Sequence, residues 1–168
     1  MQDNKDLWVR ANVICVGRSY YTSDTYLSVQ LKVTNKSSSV KTFVMYTTSW
    51  QDSFVADKEY VEICKVLYPG KNIPKEVNLR PNDSIFFNCI LRITGMDRIT
   101  YSFRIGLVYA DYHQLGEIRN DGIEKTTNSY EALIIRRNNK LKHQIFWSQD
   151  ITDQDEPRGY DPSKVFMN

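Results

Sequence analysis

The residues able to do chemistry are few in this chain of 168. Histidine, the side chain best suited to proton transfer near neutral pH, occurs twice, as His113 and His143. His143 falls between Leu141 and Ile145 on one face of an alternating run, the setting of a packed, hydrogen-bonded imidazole. No residue at ligand spacing stands beside it. His113 follows Asp111 and Tyr112 where a strand pattern ends, and loops are where sites are usually carried. Three cysteines, Cys15, Cys64 and Cys89, lack the C-x-x-C spacing of a zinc ribbon or a thioredoxin-like pair. Cys89 with His113 would make a nucleophile and its base. But Cys89 shares an apolar strand face with Phe87 and Leu91, where a thiolate is costly. An odd count leaves at least one thiol free. Cys15 and Cys89 share the core-side register of their strands, so a disulfide bridging two sheets is one possibility; buried inert thiols are the preferred reading.

Other familiar arrangements are missing. The chain has no G-x-S-x-G, H-E-x-x-H, P-loop or G-x-G-x-x-G. Asp150, Asp153, Asp155 and Glu156 form an acidic run that suggests calcium. Their spacing is not that of an EF-hand and no Gly stands at the turn position, so a solvated acidic segment is expected. Asn35-Lys-Ser37 and Asn82-Asp-Ser84 match the glycosylation sequon. No metal and no cofactor is expected.

One segment does suggest recognition. Residues 46–54 read Tyr-Thr-Thr-Ser-Trp-Gln-Asp-Ser-Phe. Trp50 and Phe54 with Gln51 and Asp52 make an aromatic plate flanked by polar groups, which can hold a sugar ring or a partner side chain. The competing reading is a Trp and a Phe plugging one end of the core. Tyr20 and Tyr21, in a turn before the second strand, raise the same question. These six residues are the candidate ligand-binding set.

The elements that would position them repeat with period two. In 25–34, Leu27, Val29, Leu31 and Val33 oppose Tyr26, Ser28, Gln30 and Lys32, a strand with one wet face. A polar turn at 35–39 leads to 40–47, which is expected to pair back as a hairpin. Leu7, Val9, Ala11, Val13 and Cys15 form one face of an earlier strand. Residues 59–67 are a shorter, mixed one, and a brief strand surrounds Val77 and Leu79. Pro81-Asn-Asp-Ser84 is a strong turn signal. Beyond it, Ile85, Phe87, Cys89, Leu91 and Ile93 share a face, as do Tyr101, Phe103, Ile105, Leu107 and Tyr109. A polar stretch near 111–129 is long for a connection. A final hairpin spans 132–137 and 141–147, although 130–137 also tolerates helical spacing.

About nine strands without a convincing amphipathic helix describe an all-β, antiparallel sandwich or barrel. The domain would span 1–148, followed by a polar C-terminal tail at 149–168. The runs Leu27-Ser-Val-Gln-Leu-Lys-Val-Thr-Asn35-Lys-Ser and Val77-Asn-Leu-Arg-Pro-Asn-Asp-Ser-Ile-Phe-Phe87, with Phe103-Arg-Ile-Gly-Leu and Ile145-Phe-Trp-Ser, resemble immunoglobulin-like β-sandwich modules of bacterial cell-envelope and secreted proteins. The resemblance implies an immunoglobulin-like sandwich in an exported setting and no particular activity.

Charge narrows the partners. Lys+Arg 22 against Asp+Glu 20 gives +2, too balanced for bulk attraction to nucleic acid. No apolar stretch is long enough for a transmembrane helix. The start of the chain is polar and has no signal-peptide pattern. Two origins fit: a cytoplasmic chain, or an extracytoplasmic one (periplasm or cell surface) whose export signal has been removed. The second is the expectation, because it agrees with the resemblance. The expected function is therefore non-enzymatic: recognition of a protein or glycan through loops at one end of the sandwich. An inhibitor or immunity-type protein using 111–129 to plug a partner's active site is the alternative, and a homodimer through an edge strand fits either.

Overall fold

The computed structural model describes residues 6–66, 69–95, 100–111 and 144–157. Their elements are eleven β-strands and two short 3-10 helices. The strands are β1 Leu7–Arg18, β2 Thr25–Asn35, β3 Lys41–Tyr46, β4 Phe54–Ala56, β5 Val61–Ile63, β6 Pro74–Leu79, β7 Ser84–Ile93, β8 Ser102–Phe103, β9 Ile105–Tyr109, β10 Gln144–Trp147 and β11 Ile151–Thr152. The helices are Trp50–Ser53 and Asp153–Asp155. All strand pairs are antiparallel. They form a four-stranded sheet in the order β1-β2-β7-β5, a three-stranded sheet β10-β9-β4, and the pairs β11-β8 and β3-β6.

Period two builds the large sheet. Leu27, Val29, Leu31 and Val33 of β2 are fully buried, and Phe87, Cys89, Leu91 and Ile93 of β7 lie beside them. One core cluster joins this face to Phe43, Met45, Phe54, Leu79, Phe103, Ile105, Leu107, Phe146 and Ile151 from the smaller sheets. A second, small cluster holds Val55, Val108 and Ala110, with Ile145 and Trp147 packed against it. It lies on the other side of β9, so this strand is buried on both faces.

Two expectations change, for 40–47 and for the acidic run, and the disulfide alternative falls in favour of the preferred free thiols. The 40–47 run does not return to β2. Both edges of β2 are taken, by β1 and β7, and the chain crosses to pair β3 with β6. Asn35 fixes the exit: its Nδ2 donates to the carbonyls of Ser39 and Leu79, and its Oδ1 accepts from the Ser37 amide and hydroxyl.

The disulfide read between Cys15 and Cys89 is not present; all three cysteines are free thiols. The two residues stand in one sheet with β2 between them, roughly 9–10 Å apart at twice the strand spacing, too far for a bridge. A β-bulge also interrupts β1 between Val13 and Cys15. The extra residue shifts the pleat, so Val16 occupies the core and Cys15 is only half-buried.

The acidic run is not a loose solvated segment as far as residue 157. Ile151 is buried and pairs with Phe103. The Asp155 carboxylate accepts from the Thr152 amide and hydroxyl, and Glu156 accepts from Tyr101 and Arg18. Among the described residues no group of three or more His, Cys, Asp and Glu is placed to hold a metal. His113, His143, the strand at 132–137, the loop at 112–129 and the chain beyond 157 lie outside the described residues.

Candidate functional site

Residues 50–54 form the short helix and the start of β4. The Trp50 ring lies 5.9 Å from Phe54 edge-on and 5.0 Å from Phe87. Phe54 is fully buried, as is Gln51, and Trp50 packs half-buried on the main core. Asp52 is bonded to Lys65 at 2.9 Å. The fold thus brings Trp50, Gln51, Asp52 and Phe54 together, with their aromatic surface turned toward Phe87.

Tyr20 and Tyr21 are set apart from this group. They occupy the tip of the β1-β2 hairpin, beyond the pair Arg18 and Thr25, and Tyr21 is 99% exposed. The Ser19 hydroxyl accepts from the amides of Tyr21 and Thr22, which shapes the tip. Phe87 pairs with Leu31, six residues along β2 from Thr25. At about 3.3 Å per residue the two aromatic groups are some 20 Å apart.

A different surface gathers exposed apolar side chains. The outer face of the large sheet carries Trp8 and Ile14 from β1 and Phe86 and Ile90 from β7, between 44% and 54% exposed. Register sets them out in rows. Trp8 stands beside Thr34 and then Ser84, and Arg10 beside Lys32 and then Phe86. Asn12, Gln30 and Asn88 follow, with Gln30 donating to Asn88. Ser28 and Ile90 come next, and last Tyr26, Arg92 and Glu62.

Cations lie on the rings. Arg10 and Lys36 sit 5.8 and 5.5 Å from the centre of Trp8, and Lys32 sits 5.5 Å from that of Phe86. Such contacts hold a flexible cation over an aromatic face. At the far end the charge is neutralised. Arg92 bonds the buried Asp24 at 2.8 Å through Nε and through Nη2, and reaches Glu62 at 3.5 Å. The hydrogen bond to Asp24 pushes the guanidinium pKa further up.

Two of the three thiols, Cys64 and Cys89, are poorly set for nucleophilic chemistry. Burial pushes the Cys89 thiol up from 9.0 to about 12, with a further push from Cys64. Burial and then Glu62 raise Cys64 as well, against a smaller opposing effect of Arg92. Both are protonated near neutral pH, and the thiolate is the nucleophile.

The sheet face was legible in principle. Trp8, Arg10, Asn12 and Ile14 alternate with the core residues of β1, as Phe86, Asn88 and Ile90 do in β7. Alternation assigns them to a wet face but says nothing of which strands lie side by side, and the patch exists only because β2 seats Lys32 between Arg10 and Phe86.

Comparison with known proteins matches no family model, no curated protein and no solved structure. No helix among the described residues is long and apolar enough to cross a membrane.

Proposed function

We propose that this protein is a non-catalytic recognition module that binds a partner on the outer face of its four-stranded sheet. One observation carries the reading: four large apolar side chains, two of them aromatic and capped by cations, are exposed on one face of the sheet. They flank the polar row Asn12, Gln30 and Asn88, and exposed apolar groups gathered on one face offer a surface that a partner can cover. Trp and Arg are also the side chains that most often anchor interfaces. The antiparallel strands are compatible with an immunoglobulin-like sandwich, and the resemblance in the sequence favours a place in the cell envelope, outside the cytoplasm. The partner is a protein or a glycan. The Tyr20–Tyr21 tip is a second contact, separated from the sheet face.

Affinity capture from the source organism's envelope fraction, read by mass spectrometry beside a glycan array, tests this. Three proteins are compared: native, Trp8→Ala with Phe86→Ala, and Tyr20→Ala with Tyr21→Ala. Both doubles remove exposed side chains, so folding should survive, and circular dichroism checks it. The expected result is a stoichiometric protein or a defined glycan class, retained by native protein and lost from the sheet-face variant. Ligands held equally by native and sheet-face proteins, or no ligand at all, overturn the reading.

A further inference from the structure

We infer that the partner presents an acidic segment, carboxylates interleaved with apolar side chains, to the Trp8–Phe86 end of this sheet face. The inference rests on the recognition reading above and names the chemistry of its partner.

The charges set over the two rings are all positive. Arg10, Lys32 and Lys36 surround Trp8 and Phe86, and among the described residues none of the three has a carboxylate partner. Two carboxylates lie at this end of the sheet, and neither pairs with these cations. Asp6 is bonded to Lys41 at 2.7 Å, and Asp83 accepts from the Arg80 amide at 3.3 Å. Arg10 and Lys32 are direct cross-strand neighbours. Like charges placed so are unfavourable, and no carboxylate of the sheet relieves them. An incoming acidic group would pair with both.

Other occupants fit less well. A second copy docked with its own Trp8–Phe86 end on this one would bring these cations against their own kind. A strand added at the β1 edge meets the Gln149 side chain, which bonds both the amide and the carbonyl of Ala11. A polyanion such as single-stranded nucleic acid would use the cations and rings but leave Ile14 and Ile90 uncovered. An acidic and apolar protein segment uses all of them.

The test is selection of random twelve-residue peptides displayed on phage against the full chain. Selected peptides are then measured by fluorescence anisotropy on native protein, Arg10→Glu with Lys32→Glu, and Trp8→Ala with Phe86→Ala. A twenty-residue oligothymidylate and heparin are measured alongside. The expected peptides are enriched in Asp and Glu beside aromatic or aliphatic residues. They should bind about tenfold or more weakly to the charge-reversed protein, and more weakly as salt rises. Peptides without acidic enrichment that still need Trp8 and Phe86 overturn the partner chemistry and leave the recognition face standing. Peptides indifferent to both variants, or no enrichment at all, overturn both. Oligothymidylate or heparin binding tighter than every peptide, and lost on charge reversal, overturns the acidic-protein assignment in favour of a polyanion surface.

Discussion

A buried side-chain amide has to use its donors and acceptor inside the fold, and Asn35 does so at the junction of two sheets. Its Nδ2 reaches the carbonyls of Ser39 and Leu79 at 2.7 and 2.8 Å, and its Oδ1 holds the turn at Ser37. The sequon match at this position therefore describes a nitrogen already committed to structure. Asn35→Ala leaves two carbonyls and the turn unsupported and should cost about 2–4 kcal/mol in urea unfolding. The exposed Asn82, whose φ of 67° is the left-handed region, should accept Gly with little change. Cys89 makes a prediction in pH. Its folded value, about 12, lies above the ordinary 9.0, so its burial stabilises fully below pH 9.0. That contribution is lost as pH rises from there toward 12, where the unfolded thiol ionises first. Tyr101, raised by burial and by Glu156, acts in the same alkaline direction. Unfolding free energy should fall over that range, and Cys89→Ala should flatten the slope. A disulfide-exchange reagent near neutral pH should modify the half-exposed Cys15 and Cys64 well before Cys89.

At the scale of the element, alternation was legible and pairing was not. The buried sets of β2 and β7 can be read straight from residues 27–33 and 87–93, because a half-buried strand repeats every two residues. The bulge in β1 leaves no such mark, since Val13, Cys15 and Val16 are all acceptable core residues. The neighbours of β3 were equally hidden, because a polar turn after Asn35 serves a hairpin or a crossover alike. For the candidate site, the segment around Trp50 stood out by composition, whereas the face holding Trp8 and Phe86 depends on β2 lying between β1 and β7. Gly106 shows the same limit. Its single missing carbon lets Ile145 and Trp147 of β10 close over β9; a Cβ there would lie 2.5 Å from Ile145 Cγ2 and 2.8 Å from Trp147 Cε3. Gly106→Ala should cost about 1–3 kcal/mol through overpacking, read as a lowered urea midpoint. On the outer face the sign reverses. Lys32→Glu gives Arg10 a cross-strand partner in exchange for a cation–π contact, so stability should hold or rise by up to about 1 kcal/mol while partner binding is lost. A substitution that weakens both equally would make Lys32 a structural residue.

Across the whole molecule, the stretch after β10 ties the large sheet to the smaller ones. Ser148 exchanges hydrogen bonds with Ile105, Ile151 enters the core beside Phe103, and Glu156 reaches back to Arg18. The exposed Arg18 contact contributes little, as surface ion pairs do. Gln149 does more. Strand β1 is a long edge, a template for unwanted pairing, and the Gln149 amide behaves there as a peptide group: its Nε2 donates to the Ala11 carbonyl at 2.6 Å and its Oε1 accepts from the Ala11 amide at 3.3 Å. An edge-to-edge dimer on β1 would have to displace it. Gln149→Ala should therefore cost about 1–2 kcal/mol and produce concentration-dependent association in sedimentation velocity, where the native chain stays at one mass. Gln149→Glu separates the hydrogen bond from mere bulk. As a carboxylate it can accept from the Ala11 amide but repels the Ala11 carbonyl; once protonated it donates again. Its folded pKa would lie above the ordinary value of about 4.3, so the lost stability should return as pH falls through that raised value. A loss equal at every pH would mean that Gln149 only fills space.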